Sequence, residues 1–402
     1  MELGIDRFLK EASLIRPLKE KRLGLLAHPA SVTRTLVPTL EALIGLNKLD
    51  ITCAFGPQHG MRGEKQDNMV ESKTYLDPVY KIPVYSLYGE VRRPTHEMLA
   101  GLDVMLVDLQ DVGCRIYTFL TTLFYVLEDC ASTQKQVWVL DRPNPAGRPV
   151  EGLALEPGWE SFIGAAPVAM RHGMTLGEAA KWYVCHKDLD VELKVVEMEG
   201  YHANCAPGFG WPQDLSWVNP SPNMPGLTTV RSYAGTVLVE GTNLSEGRGT
   251  TLPLELIGAP DIKVDKILGE MENLCPDWLR GCHLRPCFFE PTFQKHQDIL
   301  CSGIQIHCDA RFYDHLKFKP FRLVALFFKA LRKIHPDYEL WREPPYEYEE
   351  HKKPIDILSG SDFLRNWVDD SHGKPQDLEK RLVEEEKEWE AKKEAFTIYS
   401  SI

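Results

Sequence analysis

The chain has 402 residues, of which 43% are hydrophobic and 26% are charged, as in ordinary globular proteins rather than disordered or fibrous ones. Its formal net charge of -12 disfavours a nucleic-acid partner, because binding to a phosphate backbone is driven by Lys and Arg. Charged residues interrupt the N-terminus where a signal peptide needs an apolar core, and no run approaches the roughly 20 apolar residues of a membrane span, so we expect a cytoplasmic protein with no membrane partner.

Four short apolar runs in the first third are each followed directly by polar, Gly or Pro residues. They predict buried parallel strands at 23–27, 51–55, 104–107 and 137–140. Apolar residues at helical spacing predict crossover helices at 36–46 and 119–130, and 82–87 adds a strand that begins at or near Pro83. Strand and helix alternate at intervals of about thirty residues, which is typical of an α/β fold with a Rossmann-like, doubly wound, mostly parallel sheet.

Ligands of such sheets bind just past the carboxyl ends of the strands. The polar loops at 28–31, 56–63, 108–115 and 141–145 should therefore meet at one rim. Structural roles stay open for some of these residues. Asp108 and Asp141 are also suited to capping backbone groups, and Arg115 and Tyr117 to packing over the sheet edge. The candidate site residues of this rim are Gln58, His59, Arg62, Glu64, Asp108, Asp111, Arg115, Tyr117, Asp141, Arg142 and Asn144.

The middle third is rich in Gly and Pro and contains three more polar clusters, at 171–178, 219–225 and 240–250. In the first cluster, Thr175 followed by Glu178 predicts a capping box at the start of a helix. These clusters contribute the candidates Arg171, His172, Asn223, Glu240, Asn243, Glu246 and Arg248.

The composition changes after about residue 260. Segment 303–307 predicts a strand and 321–334 a helix, so we divide the chain into a catalytic domain at 1–260 and a smaller α+β domain at 261–402. Segment 376–396 is dense in Glu and Lys and predicts a solvated helix that clamps the domain surface, with a partner-binding helix as the alternative.

Several chemistries lack their usual sequence support. The chain has no dinucleotide fingerprint after a strand, no Walker loop, no His-Glu-x-x-His helix and no nucleophile elbow. Its ten cysteines include no Cys-x-x-Cys pair and no Cys/His cluster at zinc spacing, so we expect free thiols, no metal and no cofactor. Loop carboxylates, amides, arginines and histidines suit acid/base chemistry on a hydroxyl-rich ligand such as a glycoside.

Several loops, taken together, closely resemble the exo-β-N-acetylmuramidases, a glycoside hydrolase family long catalogued as a domain of unknown function. The resemblance implies a Rossmann-like N-terminal domain, a smaller C-terminal domain and a cleft between them that releases terminal N-acetylmuramic acid from the non-reducing end of peptidoglycan fragments, without metal or nucleotide. The segments that carry it are 55–63, 84–90, 108–113, 140–145, 171–175, 220–225, 240–250, 258–260 and 354–361.

The resemblance also gives the arginines a chemical role. The lactyl group of muramic acid carries a carboxylate, which a guanidinium can bind through two parallel hydrogen bonds. The candidates for this contact are Arg62, Arg115, Arg142, Arg171 and Arg248.

One departure from the family pattern concerns the loop after the second strand. Family members generally read Gly-Pro-Glu-His-Gly, and that glutamate is the favoured catalytic residue, whereas this chain has Gln58, which cannot act as a general acid. In one hypothesis Gln58 and His59 act beside another acid, Glu64 or Glu246, in an enzyme that recycles short muropeptides. The alternatives are a sugar-binding protein with altered or lost activity, and a phosphosugar hydrolase or transferase on the same scaffold.

Overall fold

The structure is a computed structural model that describes residues 1–67 and 69–399. In that part of the chain the α-helices are α1 Gly4–Lys10, α2 Ala12–Ile15, α3 Thr39–Gly45, α4 His96–Ala100, α5 Phe119–Ser132, α6 Leu176–Lys187, α7 Leu227–Thr236, α8 Val264–Leu274, α9 Pro320–Ile334, α10 Pro354–Ser359, α11 Phe363–Asp369 and α12 Pro375–Glu394. The strands are β1 Arg22–Ala27, β2 Asp50–Gly56, β3 Tyr75–Leu76, β4 Pro83–Ser86, β5 Val104–Asp108, β6 Gln136–Leu140, β7 Glu151–Ala154, β8 Ala169–Arg171, β9 Leu193–Val196, β10 Leu256–Ala259, β11 His283–Phe289 and β12 Cys301–His307.

The central sheet has seven strands in the order β3-β4-β2-β1-β5-β6-β9. All neighbours pair in parallel except the short strand β3, which runs antiparallel to β4 at the edge. The four predicted buried strands and the two predicted crossover helices are present as β1, β2, β5, β6, α3 and α5, and β4 begins at Pro83. The predicted α/β fold with a mostly parallel sheet is confirmed.

Alternate side chains of the central strands enter two separate apolar cores, because successive residues of a strand point to opposite faces. On β5, Val104 and Leu106 face the core that contains α1 and α3, whereas Met105 and Val107 face the core that contains α5 and α6. Every residue of β5 is buried, which explains its continuous apolar run.

A second, antiparallel sheet has the order β10-β12-β11. The long helix α9 packs against α7 and α8 beside it. Because β10 pairs with β12, this sheet begins at Leu256, just before the boundary that we expected at residue 260. The predicted strand at 303–307 and helix at 321–334 lie within β12 and α9.

Helix α12 lies across the first domain, as the clamp interpretation expects. The carboxylates of Glu385 and Glu386 accept backbone N–H groups of Ala154 and Gly152 in β7, at 2.8 Å and 3.0 Å. The Trp389 ring is 2% exposed, packs edge-on against Trp182, and donates its Nε1–H to the His172 carbonyl at 2.9 Å. The charged helix is therefore anchored through a few buried side chains.

No helix among residues 1–67 and 69–399 is long and apolar enough to cross a membrane.

If α12 is a clamp, the Trp389→Ala variant should lose about 3–5 kcal/mol of unfolding free energy, the usual cost of removing a buried aromatic ring. The control is Val383→Ala on the same helix. The Val383 side chain is 51% exposed, and its removal should cost less than about 0.5 kcal/mol. Urea denaturation of both variants and the wild type would measure the effect. Equal midpoints for all three proteins would show that α12 contributes no clamping energy.

Candidate active site

A narrow pocket with a cavity volume of about 40 Å³ lies past the carboxyl ends of the sheet strands, against chain segments that follow residue 220. One wall follows β2 and precedes α5, and the other comes from residues 221–254 and 346–347. Six residues predicted from the sequence line it: Gln58, His59, Tyr117, Asn223, Glu240 and Arg248.

His59 enters the pocket from a backbone turn with φ of 69°. Its Nδ1 lies 2.8 Å from the Lys65 carbonyl oxygen, and because a carbonyl only accepts, Nδ1 carries the proton. Burial lowers the pKa of His59 to about 4. The imidazole is therefore neutral at pH 7 and has an unprotonated Nε2 that can accept a hydrogen bond.

Gln58 lies beside His59 and is fixed by the residue before α5. The Thr118 hydroxyl donates to Gln58 Oε1 at 2.8 Å, so the amide oxygen is already used as an acceptor. Gln58 also interacts with the Glu347 side chain and acts to lower its pKa. Because a carboxylate only accepts, the amide NH₂ group is the part of Gln58 that can serve it.

The opposite wall carries a buried cluster of charges centred on Arg248. Its Nη2 donates to Glu240 Oε1 at 2.7 Å, and its Nε lies 3.3 Å from Glu246 Oε1. The Tyr346 hydroxyl donates to the other oxygen of Glu240 at 2.7 Å, and Lys295 pairs with Glu246 at 2.7 Å. Glu240 thus accepts hydrogen bonds from two donors, whereas Glu246 forms ion pairs with two cations.

Glu246 lies behind this wall rather than on it. It faces an adjoining hollow that shares Glu240 with the pocket and is also lined by Lys295 and Arg342. Burial alone would raise the pKa of Glu246, but the charges of Lys295 and Arg248 outweigh it and hold that pKa below its usual range. Glu246 is therefore a poor proton donor at neutral pH.

Glu347 is a carboxyl group in the pocket that we did not predict from the sequence. It is 5% exposed, and its Oε2 accepts the hydroxyl of Tyr88 at 3.0 Å. Burial raises the pKa of Glu347 to about 7, although the bond from Tyr88 acts to lower it. The carboxyl is thus protonated in a substantial fraction of molecules at neutral pH.

Asp111 and His172 contact each other outside the pocket lining. His172 Nδ1 accepts the Met174 backbone N–H, so Nε2 carries the proton toward Asp111 Oδ2 at 3.3 Å. His172 is fully buried, and Asp111 also accepts the Gly113 N–H. The two residues order the loop after β5 and do not line the pocket.

Arg62 and Glu64 flank the turn at Gly63, and their side chains lie away from the rim. Both side chains are exposed, and neither lines the pocket. The Arg62 guanidinium lies over the Tyr75 ring at 4.3 Å from its centroid. The structure does not bring Glu64 to the pocket, where we expected a general acid.

Asp108 and Arg142 bond to each other at the ends of β5 and β6. Arg142 Nη2 donates to Asp108 Oδ2 at 2.8 Å and to the Val32 carbonyl at 2.7 Å, and Thr39 donates to the same carboxylate. Their side chains are 4% and 0% exposed, for Arg142 and Asp108 respectively. They fix the rim and do not reach the pocket.

Asp141 caps helix α6, since its two oxygens accept the Gly177 N–H and the Thr175 hydroxyl. The capping box of Thr175 and Glu178 that we predicted is present. Burial raises the pKa of Asp141 to about 6, while the Tyr399 hydroxyl, at 2.7 Å, acts to lower it. This is the capping role left open for Asp141.

The other candidates bind backbone carbonyl groups outside the pocket. Asn144 donates to the Met174 carbonyl, and Arg115 to that of Leu358. Arg171 donates to the Ala146 carbonyl and Asn243 to the Glu339 carbonyl. Of the five arginines considered for the lactyl carboxylate, all of them in the described chain, only Arg248 lines the pocket.

Sequence reasoning missed Tyr233, Tyr346 and Glu347, which also line the pocket. Tyr233 stands on α7, where a helical aromatic residue is usually part of the core. The other two belong to the segment Pro344-Pro-Tyr-Glu-Tyr-Glu349, in which two prolines precede alternating aromatic and acidic residues. The alternation of aromatic and acidic residues, on a loop stiffened by two prolines, was the signal in the sequence that could have identified Tyr346 and Glu347.

Comparison with known proteins gives matches along nearly the whole chain. Residues 23–228 match the family model described as Exo-beta-N-acetylmuramidase NamZ, N-terminal, and residues 231–399 match its C-terminal counterpart. The chain is 38% identical over 371 residues to the peptidoglycan beta-N-acetylmuramidase NamZ of Bacillus subtilis (strain 168), covering 92% of this chain and 84% of that protein.

Two crystal structures of DUF1343 family proteins from Bacteroides fragilis NCTC 9343 have the same fold. One is 25% identical with a TM-score of 0.85 and covers 99% of both chains. The other is 22% identical with a TM-score of 0.75 and covers 100% of this chain and 99% of its own.

The Asp108→Asn variant tests whether the pair with Arg142 is structural. It leaves a buried guanidinium without its counter-charge, so we expect a loss of about 3–5 kcal/mol in unfolding free energy, measured by urea denaturation. In the Asp108→Asn, Arg142→Gln double variant the loss should be smaller than the sum of the single losses, because the stranded charge is gone. Unchanged stability combined with a raised KM would instead place Asp108 in substrate binding.

Proposed function

The chain belongs to the exo-β-N-acetylmuramidase (NamZ) family, and on that premise we propose that its pocket binds N-acetylmuramic acid at the non-reducing end of short peptidoglycan fragments. Hydrolysis of the glycosidic bond then releases the terminal sugar. The 38% identity to the peptidoglycan beta-N-acetylmuramidase of Bacillus subtilis supports this activity.

The observation that carries the proposal is the convergence of distant polar segments on one pocket. Gln58 and His59 come from the loop after β2, Asn223 from the segment before α7, and Glu240 and Arg248 from the second wall. Neutral hydrogen-bonding groups on one side and carboxyl groups with an arginine on the other suit a sugar that carries hydroxyl, acetamido and lactyl groups. A glycosidase needs such carboxyl groups near the scissile bond.

Arg248 is the residue that we assign to the lactyl carboxylate. Its guanidinium lines the pocket while Nη2 and Nε contact Glu240 and Glu246, so its plane is held in a fixed orientation. A fixed guanidinium binds a carboxylate with less loss of side-chain entropy than a mobile cation does. This contact would distinguish N-acetylmuramic acid from N-acetylglucosamine.

We place the activity in the recycling of small fragments in the cytoplasm. All ten cysteines are free thiols, and Cys185 and Cys205 are exposed. Exposed free thiols persist in a reducing compartment, where disulfides are rare. Detection of the native protein in the medium of intact cells would contradict this location.

The direct test is turnover of a chromogenic β-glycoside of N-acetylmuramic acid, compared with the N-acetylglucosamine analogue. We expect release of the chromophore from the first substrate and much slower release from the second, because only the first offers a carboxylate to Arg248. Absence of turnover of both by folded protein would contradict the proposed activity.

The Arg248→Lys variant tests the selectivity of the pocket. Lysine keeps a positive charge between Glu240 and Glu246 but loses the planar fork, and a hydrogen bond to a charged group contributes about 1.5–3 kcal/mol. We therefore expect kcat/KM for the N-acetylmuramic acid glycoside to fall by about 10- to 150-fold.

The value for the N-acetylglucosamine analogue should fall much less, so the ratio of the two values is the readout. The matched control is Arg311→Lys, an exposed arginine of the second domain, which should behave as wild type. An equal fall for both substrates would show that Arg248 acts on something other than the lactyl group.

A further inference from the structure

We propose that Glu347 is the proton donor of the hydrolysis, and that Gln58 orients its carboxyl group. This inference rests on the proposed function and assigns a catalytic residue within the same pocket. Residue 347 lies 289 positions after residue 58, so only the folded chain brings the two side chains together.

The Glu347 carboxyl lines the pocket on its second wall. Tyr88, which follows β4, donates to Oε2 at 3.0 Å. The acidic proton of the neutral form then resides on Oε1, the oxygen not engaged by Tyr88. A carboxylic acid that is fixed through one oxygen can present its O–H to a ligand from the other.

The backbone around Glu347 supports a site role. Glu347 and Tyr348 have φ values of 44° and 71°, two successive non-glycine residues in the left-handed region. Such conformations are costly, and they are concentrated at functional sites because the surrounding structure must enforce them. Here the bend is closed by hydrogen bonds in both directions between the backbones of Tyr346 and Glu349, and it buries Glu347 while leaving Tyr348 exposed.

Gln58 contributes a donor rather than a second acid at this point. Its Oε1 is occupied by the Thr118 hydroxyl, so its NH₂ group serves Glu347. A neutral amide beside the carboxyl orients it without adding a negative charge. Gln58, which cannot donate a proton to a glycosidic oxygen, thereby positions Glu347, which can.

The other carboxyl groups around the pocket are less suited to proton donation. Glu240 accepts Arg248 through one oxygen and Tyr346 through the other, so both of its oxygens act as acceptors. Glu246 is held ionised by Lys295 and Arg248 and lies behind the wall. The partners of Glu347 are instead a neutral phenol and a neutral amide, and within residues 1–67 and 69–399 it forms no ion pair.

The charged and titratable groups that face Glu347 come from several elements. They are Tyr88 and Arg92 after β4, Glu240 on the 3₁₀ helix at 237–241, and the neighbouring Tyr346 and Tyr348. Burial raises the pKa of Glu347 most and Glu240 raises it further, while Tyr88, Arg92 and Gln58 act to lower it. The resulting pKa of about 7 suits a general acid at neutral pH.

In the reaction the Glu347 proton passes to the glycosidic oxygen as the bond from that oxygen to the anomeric carbon breaks. The bonding electron pair stays on the oxygen, so the leaving sugar departs as a neutral alcohol and Glu347 becomes a carboxylate. Water adds to the anomeric carbon, and the proton that it loses restores the Glu347 carboxyl. One water is consumed and no other reactant is required.

The Glu347→Gln variant, assayed on two substrates, tests the assignment. On N-acetylmuramic acid β-linked to N-acetylglucosamine, whose leaving alcohol needs protonation, kcat/KM should fall by about 10²- to 10⁴-fold. On the 4-nitrophenyl β-glycoside, whose leaving group departs as a stable anion, the fall should be less than about tenfold. Retained activity on the disaccharide, or an equal loss on both substrates, would overturn the proposal.

The control is Glu350→Gln, the same chemical change at an exposed residue three positions away, which should match wild type on both substrates. Calorimetric binding of N-acetylmuramic acid and thermal unfolding check that Glu347→Gln is folded. Wild-type protein that turns over neither substrate would instead refute the proposed function itself. A gain of more than about tenfold in Gln58→Glu would show that residue 58, not Glu347, is the effective donor position.

A pH profile tests the same proposal without altering the carboxyl group. Because the donor must be protonated, wild-type kcat/KM on the disaccharide should fall as pH rises above about 7. The Tyr88→Phe variant removes a hydrogen bond that stabilises the carboxylate, so the pKa of Glu347 should rise and this alkaline limb should move to higher pH. An alkaline limb that stays in place would overturn the assignment.

Discussion

The buried ion pair between Asp108 and Arg142 determines the shape of the first domain's contribution to the site. Asp108 ends β5, Arg142 follows β6, and the guanidinium also reaches the Val32 carbonyl in the loop after β1. Removing both charges from water costs several kcal/mol, which is recovered only when the remaining hydrogen-bonding groups are satisfied, as they are here by Thr39 and the carbonyl. The pair is therefore weak evidence for stability but strong evidence for a fixed arrangement of three strand ends. Gln58, in the loop after β2, is held separately by the Thr118 hydroxyl.

The part of the chain that matches the C-terminal family model, residues 231–399, supplies the charged side chains that line the pocket. Glu240, Arg248 and Glu347 come from segments beyond residue 236, whereas the rim presents an amide, a neutral imidazole and a phenol. His28 links the loop after β5 to the segment before α7, because its Nδ1–H donates to the Pro220 carbonyl and its Nε2 accepts the Gln110 N–H. Burial lowers the pKa of His28 to about 3, so this link stays neutral and keeps the same donor and acceptor over the physiological pH range. The site is thus composite, because the residues before 231 and the residues after it both line the pocket.

The sequence predicted most of the sheet and about half of the pocket, and the difference has a physical basis. Buried parallel strands are continuous apolar runs, so β1, β2, β5 and β6 could be recognised from local composition. The position of the site followed from the general geometry of strand ends, and the motifs around Gln58 and Arg248 do line it. The sequence could not show which polar groups would satisfy one another: Asp108 and Arg142 look like ligands for a substrate until their mutual contact is seen. Glu347 was missed because its role depends on contacts with residues more than 250 positions away, which leave no periodic pattern.

The replacement of a carboxylate by an amide at residue 58 is best understood through the charge balance of the pocket. Two carboxyl groups in contact cannot both ionise without strong repulsion, so they titrate as a coupled pair. With Gln58 beside it in place of a second carboxyl, Glu347 has a pKa that is governed mainly by burial and raised further by the charge of Glu240. Glu240, in contrast, is bonded to Arg248. The pocket therefore contains one carboxyl hydrogen-bonded to a neutral phenol and another bonded to a fixed cation. Two carboxyl groups whose environments differ in this way are the usual requirement for separate acid and charge-stabilising roles in glycoside cleavage, so an amide at residue 58 is compatible with catalysis.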